Sequence, residues 1–191
     1  LKKKKIESLL IHNQDFIYFK KAKKIFKKIN QLKQKKIINK IGISVYDVDL
    51  IPYIIKNFKI DIIQLPFNII DQRINNTETL NLLKRKKIEI HIRSIFLQGL
   101  LLKSRIPNKF KRFSCILKSF QKFCGEQKKT KLQTCLGFIS SFKFIDKIVI
   151  GVNSHKELQE ILNYKTTKNF QIPNFEGKNI KQLIDPRKWP K

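Results

Sequence analysis

Polar residues stand at the ends of successive short β-like runs in this chain, and their types are ones that hold or act on small molecules. His12 follows "LLI", Ser44 closes "IGIS", and Gln64 sits in "IIQLPFN". Arg93 and Ser94 follow "IEIHI", while Asn153 and Ser154 follow "IVIGV". In α/β barrels the reacting groups lie at the C-terminal ends of strands, so polar residues recurring at that place mark a ligand site. Taken singly, each has an ordinary reading: a strand-end histidine is more often a hydrogen-bonded structural residue than a catalyst. The series, in register from strand to strand, is what packing alone does not explain.

The elements that must position these residues are legible as alternating patterns. Strands are predicted over Ile6–Ile11, Lys40–Val45, Ile60–Leu65, Ile88–Arg93 and Lys147–Ile150. Between them Phe19, Ala22, Ile25, Phe26, Ile29 and Leu32 recur at helical spacing with lysines facing outward. Two further stripes, Phe110, Phe113, Leu117, Phe120 and then Leu132, Cys135, Leu136, Ile139, form an enlarged connection before the last strand. Strand and helix alternation predicts a parallel α/β fold. No Pro-, Gly- or Ser-rich linker and no repeat of 20 to 50 residues divides the chain, so residues 1–191 are read as a single domain. A parallel sheet of five strands leaves unpaired edges and is expected to fold poorly in isolation. An open doubly wound sheet is the structural alternative, but no GxGxxG or Walker loop follows a strand.

The net charge of +28, from 42 Lys and Arg against 14 Asp and Glu, raises nucleic acid or an anionic membrane as partner. The excess is mostly Lys and runs with abundant Ile, Asn and Phe, the vocabulary of AT-rich codons. We therefore read it as solvated faces rather than a nucleic-acid surface. The aromatics near the basic runs belong to helix stripes, which speaks against base stacking. Three cysteines, Cys115, Cys124 and Cys135, form no CxxC pair, and their odd number fits a reducing cytoplasm rather than a disulfide framework. Cys124 and Cys135 fall on apolar stripes and are expected to be buried. No His, Cys or carboxylate cluster has metal-ligand spacing, and no serine nucleophile elbow occurs. No apolar run reaches the length of a membrane span, and Lys2 to Lys5 lacks the apolar segment of a signal peptide. The chain opens on Leu1 and holds no Met, which we read as a front part not included.

Together these strand ends resemble the aldo/keto reductase family. His12 matches the family's catalytic histidine after the fourth strand; "IGISVYD" is similar to the fifth-strand motif and "IIQLPFNIIDQR" to the sixth. "RSIFLQGLL" is similar to the seventh-strand motif and its cofactor-covering loop, "IGVNSHKEL" to the eighth, and "LIDPRKWPK" to family C-termini. The resemblance implies a partial (β/α)8 TIM barrel, strands four to eight with their helices, and an incomplete barrel domain. By that alignment strands one to three and the family's catalytic Asp, Tyr and Lys are not in this chain, which is then expected to be inactive alone. It implies an oxidoreductase moving a hydride between NADP or NAD and a small carbonyl or alcohol. The "RSIFLQGLLL" form is similar to bacterial members of surface-sugar pathways, which suggests a sugar-like substrate. A non-catalytic remnant that keeps cofactor affinity, or a basic nucleic-acid-binding protein, is the alternative.

The implied roles agree with the chemistry of the residues. A neutral His12 imidazole can hydrogen-bond a substrate carbonyl oxygen as charge develops there. Ser44 and Gln64 can offer a hydroxyl and an amide to a nicotinamide carboxamide. The family's usual Asn beside that Ser is Val45 here, which removes one such contact. Arg93 stands where many members have an aromatic on the nicotinamide; a guanidinium there repels the oxidised, positive ring and tolerates the reduced one. The competing reading pairs Arg93 with Glu89 on the same strand face. Ser94 and Gly99 belong to the cofactor-covering loop, Gly99 permitting close backbone approach to a pyrophosphate. Ser154 and Glu157 form an S-x-x-E capping box, so Asn153, Ser154 and Lys156 either hold the adenosine phosphate at a helix N-terminus or only begin a helix. His91 is read as a core hydrogen-bonding residue and His155 as exposed.

Overall fold

A computed structural model describes residues 4–75, 77–165, 170–175 and 180–190; Leu1, Lys2 and Lys3 of the basic opening and the terminal Lys191 lie outside the described residues. The chain divides into two compact units, one of Leu1–Pro66, Arg73–Arg93 and Phe144–Ile148, the other of Phe67–Gln72, Ser94–Lys143 and Val149–Lys191.

The first unit holds a five-stranded parallel sheet in chain order, β1 (Ile6–Ile11), β2 (Ile38–Ser44), β3 (Ile62–Pro66), β4 (Glu89–Arg93) and β5 (Lys147–Ile148). Because side chains alternate along a strand, the registers sort the sheet into two unlike faces. Ile41, Ile43, Ile63, Leu65, Ile90 and Ile92 share one face and are each less than 5% exposed. Lys40, Ser44, Gln64, Glu89, His91 and Arg93 share the other. Three helices belong to this unit: α1 (Ala22–Gln34), α2 (Ile51–Asn57) and α3 (Thr77–Arg85). Helix α1 packs on β2 and buries Ala22 and Phe26, the latter with its ring centroid 4.4 Å from that of Phe58, while Lys23, Lys24, Lys27 and Lys28 face solvent. The predicted apolar face is thus partly wrong, since Ile25 and Leu32 are each 38% exposed. Phe19 ends a separate 3-10 turn, Gln14–Tyr18, and does not belong to α1.

Four of the five predicted strands shift at one or both ends: β2 runs Ile38–Ser44, β3 moves to Ile62–Pro66, β4 starts at Glu89 and β5 ends at Ile148. Ile38 and Asn39 join β2 because Ile6 pairs with Ile38, and β5 ends at Ile148, where its register with β4 ends.

The expectation of a partial (β/α)8 barrel built of strands four to eight is corrected here. The structure is an α/β fold with a five-stranded parallel half-barrel sheet whose first strand is β1. Alternating apolar runs establish the order and neighbours of strands, but every βα unit presents the same pattern, so they carry no rank within a larger cylinder. The doubly wound alternative is also set aside, since that fold reverses strand order at a switch point and this sheet never does.

The second unit is helical: α4 (Ser114–Glu126), α5 (Lys131–Ser140), α6 (His155–Leu162) and the short α7 (Ile180–Leu183). Thr130 caps α5 through a complete capping box with Gln133. Phe67, Phe138 and Phe142 form one aromatic cluster with centroids 4.8 to 5.2 Å apart. Phe110 and Phe113 lie on a 3-10 turn ahead of α4, after Pro107, rather than on α4 itself. Cys124 and Cys135 are buried, as expected; burial pushes both thiols well above the usual range, so neither is a ready nucleophile.

Candidate active site

Three expected site residues meet on the polar face of the sheet, near its C-terminal end. Ser44 is the last residue of β2, Gln64 lies beside it on β3, and Arg93 is the last residue of β4. Ser44 is 4% exposed, and its Oγ accepts a hydrogen bond from Arg93 Nε at 3.3 Å. The hydroxyl proton of Ser44 stays available to donate. Gln64 is half-buried, and its side-chain amide makes no hydrogen bond among the described residues. The Gln64 amide atoms are not shut off from solvent, since Tyr164 Oη is the one buried side-chain polar atom without a partner among the described residues, so the amide is open to water or to a ligand.

Arg93 is positioned by three groups at once. Its guanidinium lies 4.0 Å over the Tyr46 ring, and its Nη2 donates to Val45 O at 3.3 Å. Glu89, the partner suggested by strand-face spacing, is engaged elsewhere: Lys40 reaches it from β2, and its second oxygen meets His91 Nε2 at 3.1 Å. The hydrogen bond from Lys40, with a smaller share from His91, holds the Glu89 carboxyl below its usual range. Its bond to Glu89 raises Lys40 in turn. His91, 6% exposed, is the hydrogen-bonded interior histidine that its place suggested.

His12 is exposed and makes no hydrogen bond of its own among the described residues. Ile11 pairs with Ile43, so His12 follows one step beyond the ladder, level with Ser44. Its loop is ordered by neighbours. Asn13 Oδ1 accepts from Asp15 N at 2.9 Å and begins the 3-10 turn, and Gln14 Oε1 accepts from both Tyr46 N at 2.6 Å and Asp47 N at 3.1 Å. Neither Gln14 nor Tyr46 was singled out in the sequence; the aromatic next to "IGISV" was the available signal for Tyr46.

The remaining expected residues belong to the second unit. Ser94, Leu97, Gln98 and Gly99 all have left-handed backbones, with φ of 59°, 47°, 54° and 77°. Three non-glycine residues in that region within six positions store strain, which persists only where neighbours enforce it. Asn68, 0% exposed, is one such neighbour: its Nδ2 donates to Ser94 O at 3.1 Å while its Oδ1 accepts from Ile70 N and Asp71 N. Ser154 caps α6, its Oγ accepting from Glu157 N at 3.2 Å, while Glu157 Oε2 accepts from Asn153 N at 2.7 Å rather than from Ser154 N, so the expected S-x-x-E box is half formed. That places a carboxylate at the helix start, which works against a phosphate there. Lys156 and His155 are exposed.

Residues 1–184 match the Aldo/keto reductase family. The chain belongs to the aldo/keto reductase family. Among solved structures it is similar to an aldo-keto reductase from Bacillus halodurans in its holo form, with 17% identity, 95% of this chain and 60% of that chain covered, and a TM-score of 0.70. The apo form of the same protein gives 18% identity, 95% and 61% coverage and a TM-score of 0.69. A thermostable aldo-keto reductase in complex with the inhibitor epalrestat gives 16%, 95%, 60% and 0.60. These likenesses establish the fold. No curated protein matches the sequence. The chain spans about 60% of the length of these structures. The likeness covers 95% of the chain, β1 onward, and gives no support to ranking these strands four to eight within the aldo/keto reductase barrel.

The donor set fits a nicotinamide better than it fits a phosphate. A buried hydroxyl with its proton to give and a half-buried amide without an internal partner match a carboxamide, which needs one donor and one acceptor. Among the described residues no group of three or more His, Cys, Asp or Glu is placed to hold a metal ion, and no helix is long and apolar enough to cross a membrane.

Proposed function

We propose that this aldo/keto reductase family member acts as an NAD(P)-dependent oxidoreductase on a small carbonyl or alcohol, with a sugar-like molecule as the finer expectation. The observation that carries the reading is the juxtaposition of Ser44, Gln64 and Arg93 on one polar sheet face, with the Gln64 amide left to a ligand. The cofactor, when bound, supplies the hydride. With a nicotinamide bound, the Ser44 hydroxyl would donate a hydrogen bond to its carboxamide and Gln64 Oε1 would accept one from it, orienting the ring. Arg93, held on Tyr46, would put a cation at that site and so favour a reduced, neutral nicotinamide over the oxidised one. His12 would hydrogen-bond the substrate carbonyl oxygen and stabilise charge as it builds there, the proton coming from a solvent acid on this exposed side. Within the second unit, the backbone at Ser94 and Gly99 and the exposed Lys156 would be the groups to meet cofactor phosphates, whether of NADP or NAD, Asn153 and Ser154 being engaged by Glu157. Reduced cysteines suit a cytoplasmic setting.

The test is titration of the protein with reduced nicotinamide dinucleotides, following cofactor fluorescence. Saturable binding is expected, weakened on the order of tenfold by Ser44→Ala and by Gln64→Leu, each of which removes one hydrogen bond in an enclosed site. Arg93→Tyr is expected to lower the preference for reduced over oxidised cofactor. Absence of saturable binding, or equal affinity in wild type and both hydrogen-bond variants, sinks the reading.

A further inference from the structure

His12 has no side-chain tether, yet the proposed chemistry needs it at a fixed place beside Ser44. What fixes it has to be backbone, and the backbone around it is clamped twice to the same neighbour. Before His12, Ile11 pairs with Ile43 of β2. After it, Gln14 Oε1 takes the N–H groups of Tyr46 and Asp47 in the segment that leaves β2, at 2.6 and 3.1 Å. Only His12 and Asn13 lie between the two clamps, and Asn13 is itself folded back on Asp15 N. The second clamp also acts on the far side of the site. Tyr46, whose N–H it holds, carries the Arg93 guanidinium on its ring, and Arg93 Nε donates to Ser44 Oγ. One side-chain oxygen thus ties the histidine turn to the loop under the Arg93 and Ser44 pair.

We propose that Gln14 is a positioning residue that sets His12 relative to Ser44 and Arg93 by stapling the turn after β1 to the Tyr46–Asp47 amides. The proposal rests on the oxidoreductase reading for its consequence in turnover, and on geometry alone for the staple. Only the oxygen of the Gln14 amide is used, as a double acceptor. Glu in its place can therefore accept the same two N–H groups, whereas Leu fills similar space and accepts nothing.

The experiment compares wild type, Gln14→Leu and Gln14→Glu by three measurements. Amide exchange of Tyr46 and Asp47 is expected to accelerate on the order of tenfold in Gln14→Leu and return toward wild type in Gln14→Glu, since one acceptor closes both amides. The ring proton resonances of His12 are expected to move in Gln14→Leu and return in Gln14→Glu; a staple without positioning leaves them in place. In turnover of reduced cofactor with a carbonyl substrate, kcat is expected to fall at least tenfold in Gln14→Leu while cofactor Kd stays within about twofold, because Ser44 and Gln64 remain on their strands. Unchanged amide exchange overturns the staple. Faster exchange with unmoved His12 resonances, or kcat and Kd changing together without recovery in Gln14→Glu, overturns the positioning. If wild type neither binds cofactor nor turns over, the oxidoreductase reading fails by itself, and the exchange and resonance measurements still decide the role of Gln14.

Discussion

Asn68→Ala tests whether the strained loop after β4 is held by a single buried side chain. Asn68 is 0% exposed, and truncation removes three hydrogen bonds: from Ile70 N at 3.0 Å, from Asp71 N at 2.9 Å, and to Ser94 O at 3.1 Å. At about 1 kcal/mol each the net loss is roughly 3 kcal/mol, and more where a buried amide is left without an acceptor. Ile70 is 4% and Asp71 1% exposed, so water has little access to repair the two amides. For a chain of this length that loss corresponds to a Tm drop of roughly 6 to 12 °C. Asn68→Asp separates the two halves of the role. It keeps both acceptor bonds but turns a carboxylate oxygen toward Ser94 O, and it buries a charge, so it is expected to destabilise at least as much as Ala. Thermal unfolding gives the total, and amide exchange at Ile70 and Asp71 gives the local share. A loss below about 1 kcal/mol for Asn68→Ala, or an Asn68→Asp protein as stable as wild type, refutes the idea that this side chain enforces the left-handed Ser94 backbone.

Gly42→Ala is expected to destabilise. A Cβ there would lie 2.9 Å from Ile62 Cβ and 3.0 Å from both Ile62 O and Leu10 Cγ, and the backbone oxygen cannot yield. An overpacking cost of about 1 to 3 kcal/mol outweighs the roughly 0.4 to 1 kcal/mol gained by stiffening the unfolded chain, and urea unfolding with a raised midpoint would contradict this. Glu89→Gln is expected to flatten the acid side of the stability profile. The Glu89 carboxyl is held below its ordinary 4.5 by Lys40 and then His91, so its contribution is present above that value and is lost as pH falls through the folded one. Unfolding midpoints of the two proteins that ran parallel from pH 6 down to about 3 would show that the Lys40–Glu89–His91 group contributes nothing.

The parts of this structure legible in the sequence are those with a local signature. Strand β1 has the expected bounds because its apolar run ends at His12, and Ser154 caps α6 because that bond needs only the helix start itself, although Glu157 reaches Asn153 N rather than Ser154 N and leaves the expected box half formed. The polar face could be anticipated from residues two apart in β4, Glu89, His91 and Arg93. What escaped depends on partners distant in the chain. Glu89 could be matched to Arg93 by spacing, but Lys40, 49 residues away, takes it; Gln14 gains its role from amides 32 and 33 positions on. Asn68 looks like a loop residue until its amide is seen on Ser94, 26 residues later. Strand rank was misassigned for the complementary reason: each strand and helix repeat looks locally like every other.

The two ends of the sheet are built on opposite principles, and this bears on where function resides. At the N-terminal end two aspartates, each just ahead of a strand, perform the same task. Asp61 N donates to Ile41 O at 2.7 Å while its carboxylate accepts from Ile41 N at 2.8 Å, and Asp146 does the same with Ile90 at 3.0 and 2.7 Å. Lys33 of α1 then binds Asp61 Oδ1 at 2.6 Å, tying helix to sheet. Those carboxylates are spent on neighbouring backbone and the end is closed. At the C-terminal end Ser44 keeps a hydroxyl proton to give, Gln64 keeps its amide, and His12 stands in solvent on a clamped turn. Their concentration at the end where α/β proteins place their chemistry, while Asp61 and Asp146 at the opposite end are engaged with backbone, is an argument for a ligand at the Ser44, Gln64 and Arg93 face, and it is independent of any likeness to other proteins.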